Sequence, residues 1–452
     1  MKLSQNFTKT SRDYPSDEVS RNAQLLIRAG FIHKTMAGVY SYLPLGLHVI
    51  NKIENIVRDE LNKIGGQEIL MNSLHPKSWW ETTGRWDKGI VDVLFQLKSQ
   101  TNSEYALACS HEEQVTPIIQ SYINSYKDLP NYNPEINQYP AALYQIQTKF
   151  RDELRSKSGI MRGREFRMKD MYDFHTNQES ADSYYQKVLE TYHQIYTRMG
   201  LKAYAVHASG GMFTSNDSHE FQVICEAGED EIMYDESTGY SINAEMIDEL
   251  KAKGQSIPEN LKVAKSAEVG NIFKLGTKYT DAFKVKITGE NNQQITPIMN
   301  CHGIGTSRCM GVIAEIHSDE KGLKWPKSVA PFEYHLITNL DKNNEIVNEQ
   351  ILTLANKFYT GHVRLFEDSG EIVDYDNLDD RNKMPLSEWA RHIEILWDDR
   401  LKNNLGEKLK DADLIGIPVQ IIISKRSLEN GGVEVIDRLT GESKIIKINS
   451  LN

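Results

Sequence analysis

Residues 144–174 read YQIQTKFRDELRSKSGIMRGREFRMKDMYDF, and their pattern predicts two β-strands of one sheet. Apolar and polar residues alternate over 144–153, which predicts a β-strand with one packed face and one polar face. The run 166–174 alternates less cleanly and predicts a second strand. Because a basic segment separates the two runs, they predict an antiparallel hairpin with a long loop.

One face of each predicted strand is polar. In the second strand, Phe166, Asp170 and Tyr172 share a face. On the first strand the residues of the polar face are Gln145, Gln147, Lys149, Arg151 and Glu153. Such a face suits the floor of a site for a polar ligand, but it is equally typical of the solvent side of an antiparallel sheet. The segment alone leaves both interpretations open.

The hairpin is locally basic although the chain carries a formal net charge of −11. Its cations are Lys149, Arg151, Arg155, Lys157, Arg162, Arg164, Arg167 and Lys169. A net negative charge argues against a nucleic-acid partner, but phosphate binding depends on the charge close to the contact. An isolated basic run of this kind is typical of a solvated surface, so the patch gains meaning only from the motif around it.

Further pattern lies on both sides of the hairpin. Apolar residues recur every three or four positions over 47–64, which predicts an amphipathic helix followed by a strand at 68–71. A second helix is predicted at 180–199. Residues 236–267 are polar and weakly patterned, and they indicate a short insertion. Regular structure is predicted again from Glu268, including a helix after Gly303-Ile304-Gly305.

The C-terminal part has a different organisation. Trp325-Pro326 and Pro331-Phe332 predict a linker. Beyond it, strand-like runs at 334–338, 393–396 and 419–424 alternate with helical segments, which predicts a small α/β domain. Within that domain, residues 361–391 are acidic and irregular, and the sequence gives them no role.

Bulk properties exclude several classes of protein. With 452 residues, the chain predicts two or three domains. No apolar run is long enough to span a bilayer, and the polar start lacks the apolar stretch of a secretory signal. The four cysteines form no CxxC pair, so neither a disulfide framework nor a structural zinc site is expected. A protein of the reducing cytoplasm is expected instead.

Two motifs resemble those of the class II aminoacyl-tRNA synthetases. Phe150-Arg151-Asp152-Glu153, a loop and then Arg162-Gly163-Arg164-Glu165-Phe166 has the form FRxE…RxxxF and resembles motif 2. An arginine suits this chemistry because its planar fork pairs phosphate oxygens bidentately. The resemblance implies that Arg151 binds the α-phosphate of ATP, that Glu153 accepts from the adenine amino group and that Phe166 stacks on the base.

Gly303-Ile304-Gly305-Thr306-Ser307-Arg308 resembles motif 3, which implies that Arg308 meets the γ-phosphate. On its own, a GxG followed by arginine is a common helix start. The segment from Leu43 through the amphipathic helix to Pro76 resembles motif 1, which forms the dimer interface in this class. The class I signatures HIGH and KMSKS are absent, as is GxGxxG.

Longer matches resemble the bacterial-type prolyl-tRNA synthetase family. The matching segments are 144–153, 159–162, 164–166, 168–170, 218–221, 271–279 and 413–418. The resemblance runs over nearly the whole chain. It implies ATP and Mg²⁺ as cofactors, proline and tRNA(Pro) as substrates, a cytoplasmic homodimer and no membrane partner.

The resemblance also implies roles for individual residues. The residues implied in ATP binding are Arg151, Glu153, Arg162, Phe166 and Arg308. Those implied in the proline pocket are Ser110, Glu112, Arg151, Asp170, Tyr172, His219 and Cys301. Arg155 corresponds to the contact with the tRNA acceptor stem. Asp398, Asp399, Arg400 and Lys408 correspond to the anticodon-reading region. No metal-ligand set is implied, and Arg151 and Arg308 are the catalytic pair.

Two of these residues have ordinary structural alternatives. His219 would also fit a hydrogen-bonded structural histidine, and Cys301 would equally fit a buried cysteine. Three departures from the family stand out. The large editing insertion is missing, and about nine extra residues stand around 132–139. The C-terminal domain carries the acidic segment 361–391, and the residues between Asp398-Asp399-Arg400 and Lys408 differ from the family's anticodon-reading region.

The predicted fold class is α/β: an α+β catalytic domain with an antiparallel sheet and a class II synthetase fold, followed by a C-terminal α/β anticodon-binding domain. The predicted catalytic domain comprises 1–235 and 268–330, separated by the short insertion 236–267, and the anticodon-binding domain comprises 331–452. The predicted reaction is ATP-dependent activation of proline and its transfer to the 3′ end of tRNA(Pro). A synthetase for another amino acid, such as threonine, and a non-catalytic tRNA-binding paralogue are the alternatives. The paralogue is disfavoured because both phosphate-binding arginines are present.

Overall fold

A computed structural model gives the three-dimensional arrangement. It describes residues 1–154, 158–208, 213, 218–252, 254, 256–258, 260–361, 363–365 and 394–450. Within those ranges, no helix is long and apolar enough to cross a lipid bilayer.

In chain order the helices are α1 Arg21–Arg28, α2 Pro44–Lys63, α3 Lys77–Thr82, α4 Glu112–Tyr122, α5 Gln178–Arg198, α6 Ile247–Ala252, α7 Lys278–Ala282, α8 Thr306–Ile316, α9 Glu345–Tyr359, α10 Leu405–Ile415 and α11 Lys425–Glu429. Three of the helices, α2, α5 and α8, lie close to the positions that the sequence predicts.

In chain order the strands are β1 Ile32–Met36, β2 Val39–Tyr42, β3 Gln67–Glu68, β4 Leu74–Pro76, β5 Phe95–Lys98, β6 Glu104–Leu107, β7 Ala141–Phe150, β8 Glu165–His175, β9 Ala203–Ala208, β10 Ser218–Ile224, β11 Asp230–Asp235, β12 Tyr240–Asn243, β13 Lys262–Gly276, β14 Ile287–Thr288, β15 Gln294–Ile295, β16 Ile298–Ile304, β17 Tyr334–Asn339, β18 Val363–Leu365, β19 Ile395–Asp398, β20 Val419–Ser424, β21 Gly432–Asp437 and β22 Ser443–Ser450. The strands are mostly short, and the three longest, β7, β8 and β13, lie in the large sheet.

A nine-stranded sheet organises the N-terminal part, in the order β10-β9-β12-β11-β13-β16-β8-β7-β3. Its central strands β13, β16, β8 and β7 are antiparallel, and β7 and β8 form the predicted hairpin. The first strand ends at Phe150 and not at Glu153. One further in-register hydrogen bond joins the Arg151 N–H to the Arg164 carbonyl, at 2.9 Å, and the Asp152 N–H then donates to the Val93 carbonyl in the loop before β5, at 2.7 Å. The antiparallel sheet of the predicted fold class is therefore confirmed.

The two faces of this sheet have different partners. One face packs on the long helix α5, with Tyr144 and Ile272 in the core beneath it. The other face packs on α4 and α7 through Tyr172, Phe273 and Cys301. Residues directly opposite each other in an antiparallel pair point to the same face. Register therefore assigns each side chain of the sheet to one of these two sides.

Helix α2 confirms the amphipathic helix that was predicted before the hairpin. It begins at Pro44, which suits the first turn because proline lacks the N–H that would be unsatisfied there. Leu47 does not join the buried stripe, since it is 50% exposed. The strand predicted at 68–71 is shorter than expected, because only Gln67 and Glu68 pair with β7.

Residues 236–261 contain more regular structure than their polar sequence predicts. β12 pairs with β11, and the short helix α6 follows it. The long strand β13 begins at Lys262, six residues before the predicted return of regular structure at Glu268. The start of β13 shows no alternation, because Lys262, Val263 and Lys265 are all exposed.

The C-terminal part forms a second sheet in the order β18-β22-β21-β20-β17-β19. β17 is parallel to β19 and β20, while β20, β21 and β22 are antiparallel, as a mixed α/β unit requires. The predicted linker at 325–332 is not an exposed tether. Trp325 and Phe332 are buried in the same core cluster as Phe31 and Leu414, so this segment is part of the packing between the two sheets.

The first residues of the chain contact the edge of the second sheet. Lys2 forms a parallel bridge with Trp397, and its ammonium group lies 4.4 Å from a ring centroid of that tryptophan. The Ser4 hydroxyl donates to Asp399, at 2.6 Å. The N-terminal segment is thus held by residues almost 400 positions away.

Candidate active site

The polar face of the hairpin is buried and not solvated. Gln145 and Lys149 on β7 and Asp170 on β8 have almost no exposed surface. The Lys149 ammonium lies 2.7 Å from Asp170 Oδ1, and the Gln145 amide donates to Asp170 Oδ2 at 3.0 Å. The interpretation of this face as the solvent side of the sheet is therefore wrong. It is a polar floor, satisfied by its own hydrogen bonds.

Tyr172 joins this floor to the loop before α4. Its hydroxyl donates to Asp170 Oδ2 at 3.0 Å and accepts from the His111 N–H at 2.9 Å. Burial and then the charge of Asp170 raise the pKa of Tyr172 well above its usual value. Burial opposes ionisation of Asp170, but the charge of Lys149 outweighs it and lowers the pKa of Asp170. The floor therefore presents a phenol and a carboxylate.

Glu112, at the first position of α4, is the centre of the pocket above Tyr172. Its Oε1 accepts from the Ser110 hydroxyl at 2.7 Å and from the Cys301 thiol at 3.2 Å. The Ser110 and Tyr172 oxygens are 3.5 Å apart. Burial and then the charge of Glu112 raise the pKa of Cys301 well above its usual value, which keeps it a thiol. The structure thus brings five predicted residues together: Ser110, Glu112, Asp170, Tyr172 and Cys301.

His219 lies apart from these residues. It is opposite Ile272 in β13, and Ile272 is opposite His302 in β16, so all three point to the α5 face. Its Nδ1 lies 2.8 Å from the Tyr185 hydroxyl of α5. Its neighbour Ser218 is opposite Phe273 and faces the pocket side instead. The predicted contact of His219 with the pocket therefore does not occur in this arrangement.

A cleft follows the two motifs at the end of the β7–β8 hairpin. Arg151, Glu153, Arg162, Phe166 and Arg308 all line it. The Arg151 guanidinium lies 5.2 Å from the centroid of the Phe166 ring, which holds the fork flat against an aromatic face. Glu153 Oε2 accepts from Arg162 at 2.8 and 3.0 Å, and Arg162 also donates to Glu229 at 2.6 Å. The cleft therefore combines cations, carboxylates and an aromatic ring.

Arg308 stands one turn into α8, where motif 3 was predicted. Its guanidinium donates to the carbonyls of Met161 and Glu268, at 2.6 and 2.9 Å. The backbone at Gly303 approaches its neighbour closely, since a Cβ there would lie 2.9 Å from Asn271 Oδ1. These contacts fix the direction of Arg308 across the cleft, at the N-terminal end of a helix that favours anions.

Two residues of the pocket carry no sequence signal. Arg85 lies between α3 and β5, outside every motif, and donates to both Glu112 and Glu113. Glu113 follows a predicted residue but belongs to no predicted set. Sequence reasoning missed both because only the fold brings the segment of Arg85 against the start of α4.

The four predicted anticodon residues lie at one end of the second sheet. Arg400 donates to Asp398 at 2.6 and 2.8 Å and to Asp411 at 2.8 Å. Asp398 and Lys408 are buried, and the Lys408 ammonium donates to the Thr338 carbonyl at 2.7 Å. Asp399 binds Ser4. Of these four, Arg400 and Asp399 are therefore the ones with surface to offer a partner.

Some predictions fall outside the described residues. Arg155, predicted at the acceptor stem, is one of them, as is the acidic segment 361–391 apart from 361 and 363–365. In the part of the chain that the structure describes, no group of three or more His, Cys, Asp or Glu side chains could hold a metal ion.

Two family descriptions match the chain. The tRNA synthetase class II core domain (G, H, P, S and T) matches residues 95–317, and the anticodon binding domain matches residues 377–452. The first contains the hairpin, the pocket and the cleft described above. The sheet, the two motifs and the match to the core domain together show a class II aminoacyl-tRNA synthetase. This confirms the predicted fold class.

Similar proteins show which family of class II synthetases the chain belongs to. A proline–tRNA ligase from Wolbachia sp. subsp. Brugia malayi (strain TRS) is 35% identical over 99% of this chain and 98% of its own length. One from Ehrlichia chaffeensis (strain ATCC CRL-10679 / Arkansas) is 36% identical over 99% of this chain and 97% of its own length. The chain belongs to the proline–tRNA ligase family.

A third relative and a solved structure complete the comparison. The proline–tRNA ligase from Geobacillus sp. (strain WCH70) is 31% identical over 100% of this chain and 98% of its own length, in an alignment of 601 positions. This chain, with 452 residues, is much shorter than that alignment. A Giardia lamblia prolyl-tRNA synthetase in complex with prolyl-adenylate has a similar fold, with a TM-score of 0.72, 20% identity, 95% coverage of this chain and 76% of that one.

Proposed function

We propose that this chain activates proline with ATP and transfers it to the 3′ end of tRNA(Pro). The observation that supports this most directly is that the β7–β8 hairpin carries residues of both the pocket and the cleft. Lys149 and Asp170 belong to the floor of the pocket, and Phe166 lines the cleft. Ser110, Glu112 and Tyr172 form a closed polar end suited to a small amino acid. Arg151 and Arg308 stand in the adjoining cleft, where a nucleotide would lie. Family membership identifies the amino acid as proline.

In the first step, a carboxylate oxygen of proline attacks the α-phosphorus of ATP, and pyrophosphate leaves with the bonding electron pair. Negative charge grows on the α-phosphate during the attack, so a fixed cation there lowers the barrier. Arg151, which contacts the Phe166 ring, is proposed to bind the α-phosphate, and Arg308, held by the Met161 carbonyl, is proposed to bind the departing phosphates. No side chain need act as a nucleophile, because alignment of the two substrates supplies much of the acceleration.

In the second step, the terminal ribose hydroxyl of the tRNA attacks the carbonyl carbon of prolyl-adenylate and AMP leaves. The carboxylates and the phenol of the floor hold the amino end of proline during both steps. Arg400 and Asp399 are proposed to contact the anticodon, and Arg155 the acceptor stem. Asp398 and Lys408 are proposed to support them from inside the domain.

Mg²⁺ is the proposed partner of the ATP phosphates. Magnesium is commonly held by one or two carboxylates together with substrate phosphates, and not by an all-protein cage. Glu268 lines the cleft next to Arg308, and Glu220 stands nearby. Burial and then the charge of Glu268 raise the pKa of Glu220 to about 8, so added positive charge would be favourable there. Bound at this place, the ion would neutralise charge on the phosphates.

Pyrophosphate exchange across the amino acids tests the proposal. With ATP and labelled pyrophosphate, exchange is expected with proline and only background exchange with threonine, serine and glycine. Charging of tRNA(Pro) by the same preparation tests the second step. Exchange that is faster with threonine than with proline would assign the chain to another synthetase, and absence of exchange with every amino acid would favour the non-catalytic alternative.

A cytoplasmic homodimer is also proposed. Its support is the resemblance of α2 and its flanks to motif 1, together with the exposure of Leu47, Leu70 and Leu74 in that region. Light scattering should give about twice the mass of the 51.7 kDa chain. A monomer at micromolar concentration would contradict this part of the proposal.

Alanine is expected to be an uncorrected error of this enzyme. It is smaller than proline and enters any pocket that proline enters, so only lost apolar contact discriminates against it. Proline exceeds alanine by two carbons, which predicts a rejection of roughly a hundredfold to several thousandfold at activation. Residues 236–267, which here include β12, α6 and the start of β13, are too few for a hydrolytic domain.

Incubation of the enzyme with alanyl-tRNA(Pro) checks this expectation. The ester should disappear at the spontaneous rate, measured in parallel without enzyme. Release of alanine well above that rate would reveal a hydrolytic site and contradict the prediction.

A further inference from the structure

The inner end of the pocket contains two neighbouring carboxylates and one guanidinium. Glu112 and Glu113 are consecutive and fully buried, and Arg85 is 1% exposed. Arg85 Nη1 lies 2.8 and 3.1 Å from the two carboxylate oxygens of Glu113 but 3.3 Å from Glu112 Oε2. Thr83 adds a hydrogen bond to Glu113 at 2.9 Å. The guanidinium is therefore mainly the partner of Glu113.

Aromatic rings enclose this cation. The Arg85 guanidinium lies 5.2 Å from the ring centroids of both Trp80 and Phe213 and 5.7 Å from that of Tyr279. Such rings stabilise a cation through their faces while they exclude water. In a site without water, an unbalanced charge interacts strongly with a charged ligand.

The charges of the pocket do not cancel. The net charge of the Lys149–Asp170 pair is zero, whichever of the two groups holds the shared proton. His111 is neutral, because burial and the charge of Lys149 lower its pKa to about 3. Lys278 lies at the outer side, where its ammonium donates to the Phe213 carbonyl at 2.9 Å, and burial and then the charge of Arg85 lower its pKa. Among the fully buried groups that the structure describes at the inner end, one cation, Arg85, stands against two carboxylates.

The charge of Glu113 determines this balance. Burial raises the pKa of Glu113, while the charge of Arg85 acts in the opposite direction. Both of its oxygens contact the guanidinium, a geometry that favours the carboxylate over the acid. With Glu113 ionised, the inner pocket carries one net negative charge, which lies on Glu112.

We propose that Arg85 and Glu113 act as a positioning pair that leaves the charge of Glu112 unneutralised for the secondary ammonium group of the substrate. Glu113 engages the guanidinium, and Arg85 orients Glu112 without cancelling it. Glu112 Oε1, already oriented by Ser110 and Cys301, then receives the cation. This proposal rests on the proposed function, since it assumes that proline is the ligand.

A charge-restoring double variant tests the pair. Glu113→Gln leaves one carboxylate for one guanidinium, so the pocket becomes neutral and the KM for proline in pyrophosphate exchange is expected to rise at least about tenfold. Adding Arg85→Met to Glu113→Gln restores one net negative charge. The double variant is therefore expected to bind proline more tightly than Glu113→Gln alone.

A neutral analogue supplies a second readout. Tetrahydrofuran-2-carboxylate has the ring of proline with oxygen in place of the ammonium nitrogen. Its inhibition constant should stay unchanged or fall in Glu113→Gln, while the KM for proline rises. The matched control is Glu81→Gln on α3, whose side chain is 54% exposed and which should alter neither value. Circular dichroism and thermal unfolding of each variant report on folding.

Three outcomes would overturn the proposal. An unchanged proline KM in Glu113→Gln would show that this residue is already protonated. Weaker proline binding in the double variant than in Glu113→Gln would show that Arg85 has only a structural role. An equal loss of affinity for proline and for the neutral analogue would exclude a charge effect. If the double variant does not fold, the analogue measurement on Glu113→Gln decides alone. Absence of proline-dependent exchange in the unmodified chain would contradict the proposed function instead.

Discussion

Replacing Arg151 with alanine is expected to lower the rate of proline-dependent pyrophosphate exchange by about 10²–10³-fold, because removal of one donor aimed at developing charge has a cost of that size. Arg308→Ala should have a similar effect on exchange. The two variants should differ in stability. Arg308 also donates to two backbone carbonyls, so its loss removes structural hydrogen bonds as well.

Lysine variants separate charge from geometry. Arg151→Lys keeps the positive charge but not the planar fork, so it should recover only a small part of the lost rate. The matched control is Arg426→Ala on α11, an exposed arginine in the second sheet's domain, which should exchange at the normal rate. Exchange near the normal rate in Arg151→Ala, with a folded protein, would remove the residue from the reaction.

The second large effect is expected at Trp325. Trp325→Ala should lower the free energy of unfolding by about 3–5 kcal/mol, the range found for large aromatic residues in cores. The indole is buried, lies 5.3 Å from the Phe31 ring and donates from Nε1 to the Ile415 carbonyl at 3.0 Å. Because this side chain packs between Phe31 in the N-terminal part and the end of α10 in the C-terminal part, exchange and tRNA charging should fail together on heating.

Urea unfolding of Trp325→Ala and of Leu401→Ala measures the difference. Leu401 is 68% exposed, so its variant should change the free energy of unfolding by no more than about 0.5 kcal/mol. If Trp325→Ala lost tRNA charging but kept normal exchange and stability, the segment 325–332 would be a flexible linker, as its sequence suggests.

The sequence predicted those parts of the fold that depend on local periodicity. The β7–β8 hairpin, α2, α5 and the glycine-led start of α8 all have patterns that a single segment carries. No pattern within a single segment predicted that the polar face of β7 is buried. Gln145 and Lys149 are inside only because α4 and Glu112, more than thirty residues earlier, lie over them. Alternation within one segment cannot show whether its polar face is covered by other elements of the fold or exposed to solvent.

In the candidate site, too, the sequence predicted the residues that belong to a motif and missed those that only the fold brings there. Motif spacing located the cleft residues, since Arg151, Phe166 and Arg308 belong to continuous signatures. It could not place His219, whose face depends on the register of β10 against β13. It also could not find Arg85, because an arginine in a segment without a motif gives no indication that three aromatic rings enclose it. The linker at 325–332 shows the same limit, since prolines indicate a break in regular structure but not whether the segment is packed.

The contact between Ser4 and Asp399 has a consequence for synthesis of the chain. The two residues are 395 positions apart, so a ribosome that adds about 5–20 residues per second needs roughly 20–80 s to supply the second after the first. During that time residues 1–4 have left the exit tunnel without the strand edge to which they bind. Their docking is therefore among the last contacts that a nascent chain can make. It is available only to molecules whose translation has passed Asp399.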